Sequence, residues 1–378
     1  MLTGRTVPAP RTRPGPRSPG RRTSGTLARM SRDLVLPEPR TADPADAPPL
    51  RWGVLAPGYI AGRWADAVGE HTSQRLVAAG SRSLDRAGEF ARKHGVERAH
   101  GSYEALVADP EIDAVYVASP HSHHLDQALL AVRAGKHVLV EKAFTRNATE
   151  ARALVDAARE GGVLLMEAMW TRYLPHTDVV RQLLDDGVLG DVHRVTGDFA
   201  VRADVDPTHR LLDPALAGGV LLDLGVYPVA FASFVARHAG LGVAPTAVQA
   251  TGSLTATGVD AQVSLQVAYG QAQAQLFTSM LTAAGQGAGV HGSAGHLAVD
   301  DSAYVPAGVT VTVDGRTARW DDNRVTGYGG LAFQAAAFAT YVAEGRTDSP
   351  LLPLAETVRI LETTDEARRQ LGVVYPGE

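Results

Sequence analysis

The chain has no cysteine in 378 residues. That excludes a disulfide scaffold, a thiolate-ligated zinc or iron–sulfur site, and a cysteine nucleophile. It also lacks any run of 18 apolar residues, so no membrane span is expected. Its first 29 residues hold no aspartate or glutamate, yet they hold seven arginines (5, 11, 13, 17, 21, 22 and 29). The rest of the chain keeps 29 of the 36 basic residues against 41 acidic ones, a net charge of −12 where the whole chain has −5. An acidic body of this kind argues against nucleic-acid binding. The remaining composition is that of a globular protein: 45% hydrophobic and 20% charged, enough to bury a sizeable core. At roughly 100–200 residues per domain, the length predicts about two domains.

Pro8, Pro10, Pro14, Pro16 and Pro19 alternate with Arg, Gly, Ser and Thr without apolar periodicity, and residues 1–49 read as a disordered tail and linker. Arg21-Arg22 raises an export signal, but residues 23–32 offer no apolar segment to follow it. A solvated tail, or a gene start set too early with Met30 as the true start, is the expectation, and the location expected is cytoplasmic.

Between 50 and 168, short apolar strands alternate with helices about every 25 residues. Strands read at 50–55, 76–80, 114–118, 137–140 and 163–167, and helices at 62–68, 84–94, 103–108, 124–134 and 149–160. That rhythm predicts a Rossmann-type doubly wound parallel sheet, whose ligands sit at strand C-termini. The first strand runs into Ala56-Pro57-Gly58-Tyr59-Ile60-Ala61. A strand, a tight glycine turn and a helix N-terminus form a pyrophosphate cradle. Gly58 and Ala61 hold the second and third places of the usual Gly-x-Gly-x-x-Gly/Ala pattern, and Ala56 holds the first. The second strand ends in Ser81-Arg82-Ser83, where an NAD-selective site places Asp or Glu. A hydroxyl beside a guanidinium suits a 2′-phosphate, so NADP is favoured and NAD stays open.

The third strand closes on Ser119-Pro120-His121, with His123 and His124 following. Three neighbouring histidines raise a zinc site. The adjacency of His123 and His124 and the lack of a convergent carboxylate favour cofactor or substrate contacts instead. The fourth strand closes on Glu141-Lys142. A lysine there polarises a substrate oxygen or shifts a neighbour's proton affinity by its charge.

Residues 169–378 lose this rhythm. Strands at 191–202, 246–257, 260–269, 272–280, 288–291, 296–299 and 310–313 follow one another through short glycine-containing connections, which implies a largely antiparallel sheet. Val263, Leu265 and Val267 alternate with Ser264, Gln266 and Ala268, as in a sheet covered on one side. Helices read at 178–186, 211–217, 219–237, 329–343 and 354–371. Asp223 and Tyr227 are four apart, hence on one helix face. The expected architecture is α/β: a Rossmann doubly wound parallel sheet at 50–168, then an α+β domain at 169–378 with a large, mostly antiparallel open sheet.

These residues together resemble the Gfo/Idh/MocA oxidoreductase family. The resemblance rests on Gly58-Tyr59-Ile60-Ala61, on Ser119-Pro120 with His124, on Glu141-Lys142-Ala143, on the stretch from Met166 to Pro175, and on that from Gly218 to Pro228. The last two most resemble the branch of dimeric dihydrodiol dehydrogenases and NADP-dependent D-xylose 1-dehydrogenases. Two positions depart from the pattern: Ala56 replaces its first glycine, and Ala143 replaces the proline after the lysine.

The resemblance implies an NADP-dependent oxidoreductase that moves hydride between the nicotinamide and a carbinol or carbonyl of a sugar, cyclitol or diol. It implies Lys142, Tyr227 and Asp223 as catalytic residues. With the readings above, the cofactor contacts are Gly58, Tyr59, Ile60, Ser81, Arg82, Ser119, Pro120, His121, His124 and Glu141, and the substrate wall is Trp170, Arg172 and His176. Tyrosine is a poor base at its reference pKa of about 10, so the Lys142 ammonium is expected to favour the phenolate. A homodimer or higher homo-oligomer through the open sheet is implied in the same way. No nucleic acid, membrane or metal partner is expected. A non-catalytic dinucleotide-binding regulator on the same fold and an NAD(P)-assisted glycosidase are the alternatives; the retained Lys/Asp/Tyr set favours the dehydrogenase.

Overall fold

Six short strands line up in parallel, and all but one edge strand are largely apolar, as burial on both faces demands. The computed structural model describes residues 34–283, 285–300, 302–321 and 324–378; the arginine-rich stretch and the Met30 start expected from the sequence lie outside the described residues. The strands are β1 (Arg51–Leu55), β2 (Arg75–Gly80), β3 (Arg98–His100), β4 (Ala114–Val117), β5 (His137–Val140) and β6 (Leu165–Glu167). Every side chain of β4 is buried. The order β3-β2-β1-β4-β5-β6 reverses beside β1, which opens a crevice beyond the C-termini of β1 and β4. The five expected strands are present, and β3 is an addition. None of its three side chains is fully buried, so no apolar run announced it.

The crossovers are α1 (Tyr59–His71), α2 (Leu84–His94), α3 (Tyr103–Val107), α4 (His124–Arg133) and α5 (Ala148–Gly161). Side chains of Ser83, Ser102 and Asn147 cap α2, α3 and α5, and Gly95 and Gly162 close α2 and α5 in left-handed backbone.

The second half opens with α6 (Pro175–Asp185) and β7 (Val192–Ala200), followed by irregular chain with two short 3-10 turns at Arg210–Leu212 and Pro214–Leu216. A π-turn at Leu221–Gly225 then leads into α7 (Val226–His238), where the sequence pattern predicts plain helix from 219. The reason is local crowding: a Cβ on Gly225 would meet Leu221 and Thr278 at 2.9 Å. The strands β8 (Ala247–Leu254), β9 (Asp260–Tyr269), β10 (Ala272–Ser279), β11 (Ala288–Gly292), β12 (Gly295–Val299), β13 (Val309–Val313) and β14 (Arg316–Trp320) complete an eight-stranded sheet, ordered β14-β13-β12-β11-β7-β10-β9-β8. All its pairings are antiparallel except β7 with β10. Strand β14, Arg-Thr-Ala-Arg-Trp, is an edge strand too polar to stand out in the sequence.

Val263, Leu265 and Val267 are buried, and α7 packs against β7, β10 and β11 on that side. The segment Pro214–His238 has the length and apolarity of a membrane span, but 89% of its most apolar window is buried inside this body. Two final helices, α8 (Leu331–Ala343) and α9 (Leu354–Leu371), return to the first half, α8 against α1 and α9 against α5. Trp52, Trp64, Tyr116 and Phe338 join there: Trp64 lies 5.1 Å from Trp52 and 4.4 Å from Tyr116 between ring centroids, and Phe338 lies 4.8 Å from Trp52.

Residues 34–49 depart from the linker expectation. The Arg40 guanidinium and main-chain N–H both donate to the buried Asp178 carboxylate of α6. Ser73 Oγ and Gln74 Nε2 donate to the carbonyls of Ala47 and Pro48 at 2.9 and 2.8 Å. A buried carboxylate needs cationic partners, and Arg40 supplies one alongside Arg181.

Candidate active site

The crevice at the β1–β4 switch point is lined first by backbone. Ala56, just past β1, takes the left-handed φ of +59° and donates its N–H to Gly80 O at 3.0 Å. That conformation costs an alanine about 1 kcal/mol, which explains why glycine is usual there. Gly58 caps α1 at φ −128°, and a Cβ added to it meets nothing nearer than Ala56 O at 3.9 Å. The face of the turn is therefore clear for a ligand that approaches the helix N-terminus. Ser81, nearly buried, and Arg82, exposed, follow β2. Ser119 Oγ and Ser122 Oγ, past β4, are buried and have no partner among the described residues. An open glycine turn, a cation at the β2 end and unpaired hydroxyls at the β4 end fit a dinucleotide.

Lys142 sits just past β5, and the peptide bond that joins it to Ala143 is cis. Its Nζ donates to the main-chain carbonyl of Asp223 at 2.5 Å, lies 3.5 Å from Asp223 Oδ1, and is 5.1 Å from the Tyr227 ring centroid. Trp170 Nε1 donates to Tyr227 Oη at 2.9 Å. The segment from Gly218 to Tyr227 reaches this point because two glycines let it pass. A Cβ on Gly218 would lie within 3 Å of the carbonyls of Arg210, Leu211 and Asp213, and one on Gly219 would lie 2.3 Å from Asp260 Oδ1. Asp260 Oδ2 accepts the Leu221 N–H at 2.5 Å, and Tyr375 Oη donates to Gly218 O at 2.7 Å.

Burial favours the neutral form of Asp223, but the charges of Lys142 and Arg210 outweigh it and hold the carboxyl well below its usual range. Burial pushes the Tyr227 phenol well up, and the Glu141 carboxylate adds to this; the Trp170 N–H opposes both. The resting tyrosine is therefore a neutral phenol at pH 7, where the sequence reading expected the ammonium to dominate.

Several expected contacts are indirect. Glu141 is buried, accepts the Tyr116 hydroxyl at 2.5 Å and the Lys142 N–H at 3.2 Å, and so braces the lysine from behind. His124 lies between two carbonyls, Ala143 O at 2.9 Å from Nδ1 and Ser119 O at 2.8 Å from Nε2, and as a neutral imidazole donates to one of them. His121 faces Ala217 O at 3.2 Å. Burial pushes the two imidazoles down, to about 3 for His121 and about 4 for His124. The Arg172 side chain is 3% exposed and donates to Glu356 and to Ala230 O, both at 2.7 Å, beneath Phe234. Its polar contacts are those of a core ion pair, and it borders the same small cavity as His176 and Tyr227. His176, also buried, lines a small cavity with Phe231, Tyr304 and Tyr227.

The structure adds residues the sequence did not single out. Arg210 donates to Asp223 Oδ1 at 3.1 Å from the irregular chain after β7. Tyr328 stacks on Trp170, 6.1 Å between centroids, and meets Tyr59 edge-on at 6.2 Å. Phe199 and Tyr304 flank the Tyr227 ring, each 5.3 Å away. Irregular chain carries no periodicity, so only the Gly218-Gly219 pair hinted that something nearby was tightly packed.

The family described as GFO_IDH_MocA, oxidoreductase family with an NAD-binding Rossmann fold, matches residues 50–169, and the GFO/IDH/MocA C-terminal domain matches 177–298. The chain is 32% identical over 335 residues to trans-1,2-dihydrobenzene-1,2-diol dehydrogenase of Xenopus tropicalis, a match covering 86% of this chain and 99% of that one. It is 34% identical over 365 residues to D-xylose 1-dehydrogenase (NADP(+)) of Hypocrea jecorina, covering 86% and 93%. A crystal structure of a 3-ketoreductase from Actinomadura kijaniata, in complex with NADP and TDP-benzene, matches with a TM-score of 0.73 at 28% identity over 85% of this chain and 98% of that one.

Proposed function

The chain belongs to the Gfo/Idh/MocA oxidoreductase family, and from that premise we propose that it is a cytoplasmic NADP-dependent oxidoreductase acting on a carbinol or carbonyl carbon of a sugar, cyclitol or diol. The observation that carries this reading is the meeting of Lys142, Asp223 and Tyr227 beyond the carboxyl ends of a parallel sheet whose glycine turn is open. Residues 50–168 are the cofactor half and 169–378 the substrate half.

Bound NADP supplies the hydride acceptor or donor. Gly58 and the α1 N-terminus hold its pyrophosphate, Ser81 and Arg82 its 2′-phosphate, and Ser119 and Ser122 offer unpaired hydroxyls beside it. Tyr227 Oη exchanges a proton with the substrate oxygen. Because Trp170 donates to that oxygen, the phenol's own proton is left to face the substrate. A neutral phenol suits protonation of a carbonyl in reduction. Oxidation needs the phenolate, which the Lys142 ammonium favours from 5.1 Å. Phe199 and Tyr304 brace the Tyr227 ring, and the exposed Tyr328, stacked on Trp170, offers an aromatic face to a sugar or diol.

Two copies are proposed to pair through the open face of the large sheet, where Arg194, Asp198, Gln266, Gln275 and Phe277 line a shallow depression. The test is a panel of sugars and diols followed by reduced-nicotinamide absorbance, with NADP and NAD in parallel. Tyr227→Phe should keep NADP binding and lose about 10²–10⁴-fold in turnover. Near-full turnover in that variant, or substrate turnover by the parent protein without net NADP reduction, would sink the reading.

A further inference from the structure

One oxygen of Asp223 serves two cations. Arg210 Nη2 donates to Oδ1 at 3.1 Å, and Lys142 Nζ is farther from the same atom, at 3.5 Å. The short bond of Lys142 goes to the main-chain carbonyl of Asp223 at 2.5 Å. A neutral dipole thus seats the ammonium, and the carboxylate leans toward the guanidinium. Arg210 stands on built backbone: Asp213 N–H donates to Arg210 O at 3.2 Å and Gly219 N–H to Leu211 O at 2.8 Å. The side chain of Arg210 is 44% exposed, against 13% for Asp223 and 14% for Lys142, so it closes the cluster from the solvent side.

We propose that Arg210 is a positioning residue that diverts the Asp223 carboxylate from Lys142 and keeps the ammonium seated on the Asp223 carbonyl beside the Tyr227 ring. The proposal rests on the roles given above to Lys142 and Tyr227. Without the guanidinium, the carboxylate has one cationic partner within reach and closes on it. Both groups are too little exposed for water to screen the resulting pair strongly. The charge that favours the phenolate is then cancelled. Asp223 faces Lys142, Arg210 and His121; Tyr227 faces Glu141, Asp223, Tyr328 and the Trp170 N–H. Among the described residues, only Arg210 competes with Lys142 for the carboxylate as a permanent cation.

The chain has three lysines, Lys93, Lys136 and Lys142. Acetylation by an N-hydroxysuccinimide ester, followed by peptide mass spectrometry of the full chain, therefore reads Lys142 by itself and needs no substrate. Arg210→Gln should slow acetylation of Lys142 by about tenfold relative to Lys93, and Arg210→Lys, which keeps the cation, by much less. In an Asp223→Asn background, Arg210→Gln should leave the Lys142 rate unchanged. No slowing in the Asp223 chain, or equal slowing in both backgrounds, overturns the proposal. Activity gives a second readout: Arg210→Gln should lower kcat by roughly 10–100-fold and move the rise of kcat/KM for carbinol oxidation to higher pH, with the Kd for NADP unchanged. If the parent protein oxidises no carbinol, the proposed function fails, and the acetylation rates still decide the role of Arg210.

Discussion

The two sides of the cleft are made of different materials. On the Rossmann side the groups proposed to face a ligand are largely backbone and small polar side chains: the Ala56–Gly58 turn, the α1 N-terminus, Ser81, Ser119 and Ser122. On the other side they are charges and rings: Asp223, Arg210, Tyr227, Trp170 and Phe199. A side built of backbone is sensitive to shape; a side built of charges is sensitive to partners. The strands of the first side position their groups directly, whereas the second side needs crowded glycines and a π-turn to bring Asp223 and Tyr227 to the lysine.

The comparison breaks most visibly at Gly58. Its φ of −128° suits any residue, so Gly58→Val should fold normally while its side chain enters the cleft. NADP affinity measured by calorimetry should fall by about 100-fold, roughly 3 kcal/mol; an unchanged affinity would mean the turn is not the cradle. Next is Arg82→Ala. It removes a charged donor and should narrow the preference for NADP over NAD by about 10–100-fold, read as a ratio of Kd values. An unchanged ratio would move 2′-phosphate recognition elsewhere.

Charge sensitivity is tested by pH at one buried carboxyl on each half, Asp260 in β9 and Glu167 at the end of β6. Burial pushes Asp260 up to about 6 from 3.8, and Glu167, which accepts the Thr357 hydroxyl at 2.9 Å, up to about 7 from 4.5. Their protonated forms therefore favour the folded state. That contribution is complete below about pH 4 and is lost as pH rises through 6 to 7. The buried His121 and His124, pushed down to about 3 and 4, act the other way, because the unfolded chain gives up their protons as pH rises through about 6.5. The readout is therefore the difference in Tm between Asp260→Asn and the parent protein, which should shift in favour of the variant by roughly 5 °C between pH 5 and 8; a difference that does not change with pH would exclude Asp260 as a contributor. The smallest effect belongs to the backbone side: Ala56→Gly should relieve the left-handed φ and raise stability by about 1 kcal/mol in urea denaturation, with NADP binding intact.

The same contrast explains what the sequence disclosed. Uninterrupted apolar strands and glycine-capped helices made the first sheet legible, except for β3, whose residues are half-buried. Motifs at strand ends located Lys142 and the glycine turn because a parallel sheet leaves its ligands nowhere else to go. Asp223 and Tyr227 were legible through their spacing and family pattern. The ion pair of Arg172 was not legible, because adjacency to Trp170 says nothing about direction. On the 3-10 turn Trp170–Tyr173 residues two positions apart differ by about 240° around the axis, so Trp170 reaches Tyr227 while Arg172 turns to Glu356. Arg210 was not legible, since its place depends on carbonyls that fold back over Gly218. Residues 34–49 looked like linker by composition, and only the buried Asp178 reveals why Arg40 is docked.

The hydrogen bond from Trp170 to Tyr227 also equips the molecule with an optical reporter. Of four tryptophans, Trp52 and Trp64 are packed in the core behind the first sheet and Trp320 lies on an outer edge strand; Trp170 alone borders the cleft. Indole emission overlaps the absorption band of a reduced nicotinamide. Quenching of Trp170 fluorescence on titration with NADPH would therefore follow occupancy of the cleft in the unlabelled protein, and Trp170→Phe would silence that signal while the three other indoles still report the fold.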